Sequence, residues 1–135
     1  MNPIITKLNF TYKKSDSEVW VLNTDDIPID KNQIKDQQIV HLAPESAGGN
    51  HKHPRIEWFI GIGDLELVWL NDRGQTQIEP MHPNGQILLI QIPSLLPHAV
   101  RNVSHTHNAI LFEYANAKMT SVEPVKIVWP QLKKK

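Results

Sequence analysis

No cysteine occurs among the 135 residues. A disulfide framework and a thiolate metal site are therefore both excluded, and any transition metal must be held by histidine and carboxylate. Net charge is missing too. Fourteen Lys and Arg balance 14 Asp and Glu, so the formal charge is zero with the histidines neutral. A nucleic-acid or anionic-membrane surface is not expected as the main partner. No apolar run approaches the length that crosses a bilayer, and Met1-Asn2-Pro3 opens without the apolar stretch of a signal peptide. A cytoplasmic protein is the expectation. No stretch of helical length carries a 3.6-residue period, and no internal repeat or low-complexity segment is found.

What the chain does contain is short apolar segments cut by turn residues. Trp20-Val21-Leu22, Ile39-Val40-His41-Leu42, Trp58-Phe59-Ile60, Leu65 to Leu70, Ile87 to Ile92 and Ala109 to Tyr114 read as strands. Asn71-Asp72-Arg73-Gly74 closes a hairpin, and Pro83-Asn84-Gly85 opens the strand after it. Asp30 to Gln38 is the best stretch for a short helix or polar loop. Ten prolines spread along the chain suit strands and turns better than helices. The expectation is an all-β sandwich or barrel in a single domain of 135 residues. Residues 1–38 would form N-terminal edge strands and loops, 39–116 the barrel core, and 117–135 a C-terminal extension ending in Lys133 to Lys135. The N-terminal strands could lie against a second subunit, since a partner is one way to cover a sheet edge.

The chemistry concentrates in His51-Lys52-His53-Pro54-Arg55-Ile56-Glu57. In an extended strand successive side chains alternate faces, so His51, His53 and Glu57 would point the same way. Two imidazoles and a carboxylate make most of a metal site. Downstream, a strand ends at Pro93, a tight turn follows, and His98 opens another strand with Asn102 four residues on.

These two segments resemble the cupin family, small jelly-roll β-barrels. The first cupin motif runs glycine, His-x-His, three or four residues, Glu, glycine; here Gly49, His51, His53, Glu57 and Gly63 correspond. The second runs glycine, a Pro-x-Gly turn, His, three residues, Asn; here Gly85, Pro93, His98 and Asn102 correspond. Gly49 and Gly63 stand closer to the ligands than the pattern has them, Gly85 stands further away, and Leu95 replaces the turn glycine. His-x-His alone is common in ordinary strands; the ordered set across residues 39 to 115 is specific. The resemblance implies a cupin-type double-stranded β-helix in which His51, His53, Glu57 and His98 bind one divalent ion. Zinc is expected first, with iron, manganese or nickel as alternatives.

Residues 90 to 116 also resemble the C-terminal cupin domain of bifunctional capsular-polysaccharide sugar-nucleotide epimerase/reductases. The match runs through Ile90-Gln91-Ile92-Pro93, His98, Asn102-Val103 and the apolar strand ending at Ala115-Asn116. That family's cupin domain binds zinc and epimerises a UDP-4-keto sugar beside the ketone. The resemblance implies a stand-alone relative acting on a keto sugar or sugar nucleotide by proton transfer, in polysaccharide biosynthesis, as a homodimer. A dioxygenase using iron or manganese and a non-catalytic sugar-binding cupin remain open beside it. Candidate proton-transfer residues are His41, on the strand before the first motif, and Glu113, which interrupts an apolar strand. Arg55, Phe59 and Asn102 are candidates for substrate contact, Arg55 because a guanidinium can grip phosphate. The ordinary readings are a strand histidine for His41, an outward-facing carboxylate for Glu113, rim positions for Arg55 and Asn102, and polar turns for His82, His105 and His107.

Overall fold

The computed structural model describes residues 1–119 and the two-residue strand 123–124. Its strands are β1 (Ile4–Leu8), β2 (Tyr12–Lys13), β3 (Trp20–Val21), β4 (Asp36–Leu42), β5 (Ala47–Lys52), β6 (Glu57–Ile62), β7 (Leu65–Leu70), β8 (Thr76–Pro80), β9 (Ile87–Ile92), β10 (His98–Asn102), β11 (Ala109–Ala115) and β12 (Glu123–Pro124). They form two five-stranded sheets, in the orders β1-β9-β6-β11-β4 and β12-β5-β10-β7-β8, and a small β2-β3 hairpin. Every pairing is antiparallel. No long helix interrupts them, and no helix among the described residues could cross a membrane.

Two apolar layers explain why the first sheet reads as nearly continuous apolar runs. Phe59, Ile90, Ile92 and Leu111 face Leu65, Leu67, Trp69 and Val100 of the second sheet and make the core between the sheets. The alternate residues Trp58, Ile60, Ile87 and Leu89 point outward, where Leu8, Ile27 and Ile29 of the N-terminal segment cover them. β1 pairs with β9 at the rim of the first sheet.

Two local readings change. Asp30 to Gln38 holds one 3-10 turn, Lys31–Gln33, and then enters β4 at Asp36. The polar Thr76–Pro80 segment is also a strand, held against β7 by the hairpin whose Gly74 amide donates to the Asn71 carbonyl at 2.9 Å. Of the C-terminal extension, 120–122 and 125–135, including the closing lysines, lie outside the described residues.

Candidate metal centre and cavity

The heptapeptide is a corner between the two sheets, not one strand. β5 ends at Lys52, the chain bends at Pro54, and Glu57 opens β6 in the other sheet. The bend is closed by the Arg55 amide, which donates to the His53 carbonyl at 2.9 Å. Proline before Arg55 suits the turn because it needs no donor there. Convergence of His51, His53 and Glu57 therefore comes from folding over a corner rather than from strand parity alone.

His98 arrives by strand pairing. It lies directly across from His51 in the antiparallel β5-β10 pair, with an irregularity in register just after it. Close approach of the two backbones requires Gly49. A Cβ there would fall 2.9 Å from the Ala99 Cα and 3.1 Å from the His98 carbonyl oxygen, and the φ of +95° already disfavours a side chain. The turn before His98 keeps a left-handed residue where the cupin pattern has glycine: Leu95 sits at φ +67°. Its amide donates to the His53 carbonyl at 3.0 Å, so the two motif segments are tied through backbone.

The three imidazoles form one cluster, their ligating nitrogens all within 4.8 Å of one another. Ring centroids are 4.7 Å apart for His51 and His53, and 5.2 Å for His51 and His98. Glu57 Oε1 completes the cluster, 3.2 Å from His53 Nε2 and 3.1 Å from His98 Nε2. His53, Glu57 and His98 are almost fully buried, and His51 is half-buried at the cavity.

The donor chemistry fits a cation. His98 Nδ1 lies 2.8 Å from the Leu96 carbonyl, which only accepts, so Nδ1 carries the proton and Nε2 turns a lone pair toward Glu57 Oε1. A proton or a metal cation between Nε2 and Oε1 would satisfy both atoms at that distance. His53 Nε2 and Glu57 Oε1 are buried and have no hydrogen-bond partner, close as they are to each other. Buried polar atoms are seldom left so, unless they serve a bound group. Burial, and next the His98 and His53 rings, lower the His51 pKa to about 4, which keeps it a neutral ligand at pH 7. Burial alone would push the Glu57 carboxyl up, but His53 and His98 outweigh it and hold the group well below the usual carboxylate range.

A cavity of about 540 Å³ opens onto this cluster. His51, Glu57 and His98 form part of its wall, with Val40, Leu42, Phe59, Val100 and Leu111 supplying apolar surface. Glu113 also lines it, and the solvent-exposed His41 borders its edge. Glu113 thus faces inward, on the same side of β11 as Leu111, rather than out to solvent. Burial, then the neighbouring Glu57 carboxylate, push Glu113 up to about 8 against the pull of Arg55.

Two expected substrate contacts do not reach the cavity. Asn102 is fully buried and works as a backbone clamp: its amide nitrogen donates to the carbonyls of Leu42, Ala43 and His107, and its oxygen accepts from the Ser104 amide. Arg55 is 5% exposed and is spent on protein acceptors, so it is not positioned to clamp phosphate. The remaining histidines keep to turns: His82 accepts from the Gly63 amide, His105 pairs with Glu45, and His107 meets the Thr106 hydroxyl.

No family model and no curated protein matches the chain. Solved structures do. A dTDP sugar isomerase from Desulfovibrio desulfuricans G20 is 12% identical, with a TM-score of 0.73 over 93% of this chain and 84% of that one. A variant of the 3,4-ketoisomerase QdtA from Thermoanaerobacterium thermosaccharolyticum, in complex with TDP-4-keto-6-deoxyglucose, is 15% identical, with a TM-score of 0.60 over 90% and 86%. The capsular polysaccharide assembling protein CapF from Staphylococcus aureus is 15% identical, with a TM-score of 0.58; the match covers 67% of this chain and 27% of CapF. At these identities the likeness is one of fold. Two facing antiparallel five-stranded sheets, with the His-x-His corner of one strand pair set against the histidine of the next, give this chain a cupin-type jelly-roll fold.

Proposed function

We propose that this protein is a metal-dependent isomerase or epimerase that moves a proton beside the carbonyl of a keto sugar or sugar nucleotide. One observation carries the reading: three imidazoles and the Glu57 carboxylate converge at the wall of a cavity of about 540 Å³ that Glu113 also lines and His41 borders. His51, His53, Glu57 and His98 would hold one divalent ion, zinc by preference for this donor set. Such an ion stabilises an oxygen that becomes negative as the neighbouring proton leaves.

The chain's own residues do the rest. Val40, Leu42, Phe59 and Leu111 exclude water from the reacting centre, which strengthens every charge interaction in it. Glu113, on the cavity wall beside Glu57, would take and return the proton, and His41 is the second candidate. The substrate class is supported by the likeness to a dTDP sugar isomerase and to a ketoisomerase seen with a TDP-4-keto sugar. A role in polysaccharide biosynthesis, a cytoplasmic location and a homodimer of single-domain chains belong to the same proposal.

The test is exchange of the α-proton with deuterated water, followed by NMR, across a panel of dTDP- and UDP-4-keto sugars. Metal-dependent exchange with at least one is expected, with loss in Glu113→Gln. No exchange with any member, by protein carrying a full equivalent of metal, would remove the reading. The donor set of three imidazoles and one carboxylate also suits iron or manganese and keeps an oxidative reaction as the second reading. Oxygen uptake by the Fe(II)-loaded protein would favour it.

A further inference from the structure

Arg55 is enclosed by acceptors. Its Nε donates to His53 Nδ1 at 3.2 Å, one Nη to Asp36 at 2.9 Å and to the Ala117 carbonyl at 2.9 Å, and the other Nη to Glu57 Oε2 at 2.8 Å and Glu113 at 3.2 Å. An arginine has five N–H groups, and five acceptors meet them. Four chain segments are joined this way: the corner itself, the start of β4, β11, and the residues just after β11.

Charge explains why the guanidinium is held. The Asp36 and Glu57 carboxylates supply that charge, and Glu113 adds a third acceptor within 3.2 Å. A buried arginine with one carboxylate would be a marginal arrangement, because desolvation offsets the attraction. Here the same Nη that serves Glu57 serves Glu113, and it takes the Glu57 oxygen that faces away from the imidazoles. Oε2 is thus occupied by Arg55, and Oε1 is left aimed at His53 and His98.

We propose that Arg55 is the positioning residue of this centre, turning the Glu57 carboxylate so that one oxygen is presented to the ion and linking that carboxylate to Glu113. The inference rests on the metal-site reading given above. Arg55 touches neither the ion nor the substrate; it acts through Glu57. Its contact with His53 differs in kind from the other four. A donor facing Nδ1 puts the His53 proton on Nε2, the atom expected to ligate, so that one contact exchanges when an ion is taken up. The four contacts to oxygen carry no such conflict. Lysine cannot replace this residue, because an ammonium is a single point with three donors and no planar fork.

Co(II) titration against a competing chelator tests it, read by Co(II) absorption and set beside the unfolding midpoint of the metal-free protein. For Arg55→Lys the expected result is about 10–100-fold weaker Co(II) binding by the folded variant, with an altered Co(II) spectrum. A purely structural arginine would lower the midpoint and leave affinity and spectrum as in the wild type, and that result overturns the proposal. If Arg55→Lys does not fold, Asp36→Asn decides, since it loosens Arg55 without touching a ligand. Several-fold weaker binding at unchanged stoichiometry supports the proposal; unchanged affinity overturns it. Wild-type protein that takes up no Co(II) would remove the metal reading itself. Wild-type uptake with an indifferent Arg55→Lys removes only the role of Arg55.

Discussion

His98 and Glu57 are held by different means. His98 leans on backbone: the Leu96 carbonyl fixes its tautomer, and pairing of β10 with β5 fixes its place opposite His51. Glu57 leans on a side chain, Arg55, which itself depends on Asp36 and Glu113. Backbone support comes with the fold and fails only if the fold does. Side-chain support can be altered one residue at a time. The centre therefore has a fixed half and an adjustable half, and metal affinity is the quantity in which they differ.

The largest expected effect removes the distinction. His53→Ala and His98→Ala each delete a proposed ligand, and both should purify with little or no metal where the wild type is expected to carry about one equivalent, as elemental analysis would show. Full retention in either variant takes that histidine out of the site. Next comes an attack on the backbone half. Gly49→Val puts a branched side chain against Ala99 at a positive φ, and is expected to cost about 2 kcal/mol or more in urea unfolding. A wild-type midpoint would mean that the β5-β10 approach is looser than drawn.

A subtler effect is acid sensitivity. The folded chain keeps His51 neutral down to about pH 4, while the unfolded chain takes up that proton near the ordinary value of 6.5. Stability from this group is present above 6.5 and is lost as pH falls toward 4. Urea midpoints of metal-free protein should drop between pH 7 and pH 5, less so in His51→Gln, and equal slopes would contradict this. Bound metal should leave over the same range, since protons compete for neutral nitrogens. The smallest effect runs the other way. Leu95→Gly relieves a left-handed leucine and should raise stability by about 1 kcal/mol, a few degrees in Tm, with metal affinity unchanged.

Residue type and order alone grouped His51, His53, Glu57 and His98, and the fold brings these four side chains together. The central strands β9, β6 and β11 of the first sheet were equally plain, because burial on both faces leaves apolar runs such as Ile87 to Ile92, whereas β1 was not singled out and β4 was read only from Ile39. β5 was not legible. Ala-Gly-Gly-Asn-His-Lys has no apolar face, and only its partners make it a strand. Parity placed Arg55 with the ligands but could not say that acceptors already enclosed it, because Asp36, Glu113 and Ala117 lie 19, 58 and 62 residues away. Leu95 appeared only as a departure from the cupin turn; that leucine takes the glycine's backbone conformation is visible from φ alone.

The corner at Pro54 has a mechanical consequence. His51 and Glu57 belong to opposite walls of the sandwich, so an ion gripped by both would act as a rivet between them. The span of chain from His53 to Glu57 then becomes a gauge for how far the walls can part at that end. Lengthening it by one residue would keep all four side chains in the sequence while extending the reach of the rivet and shifting Arg55 within the corner.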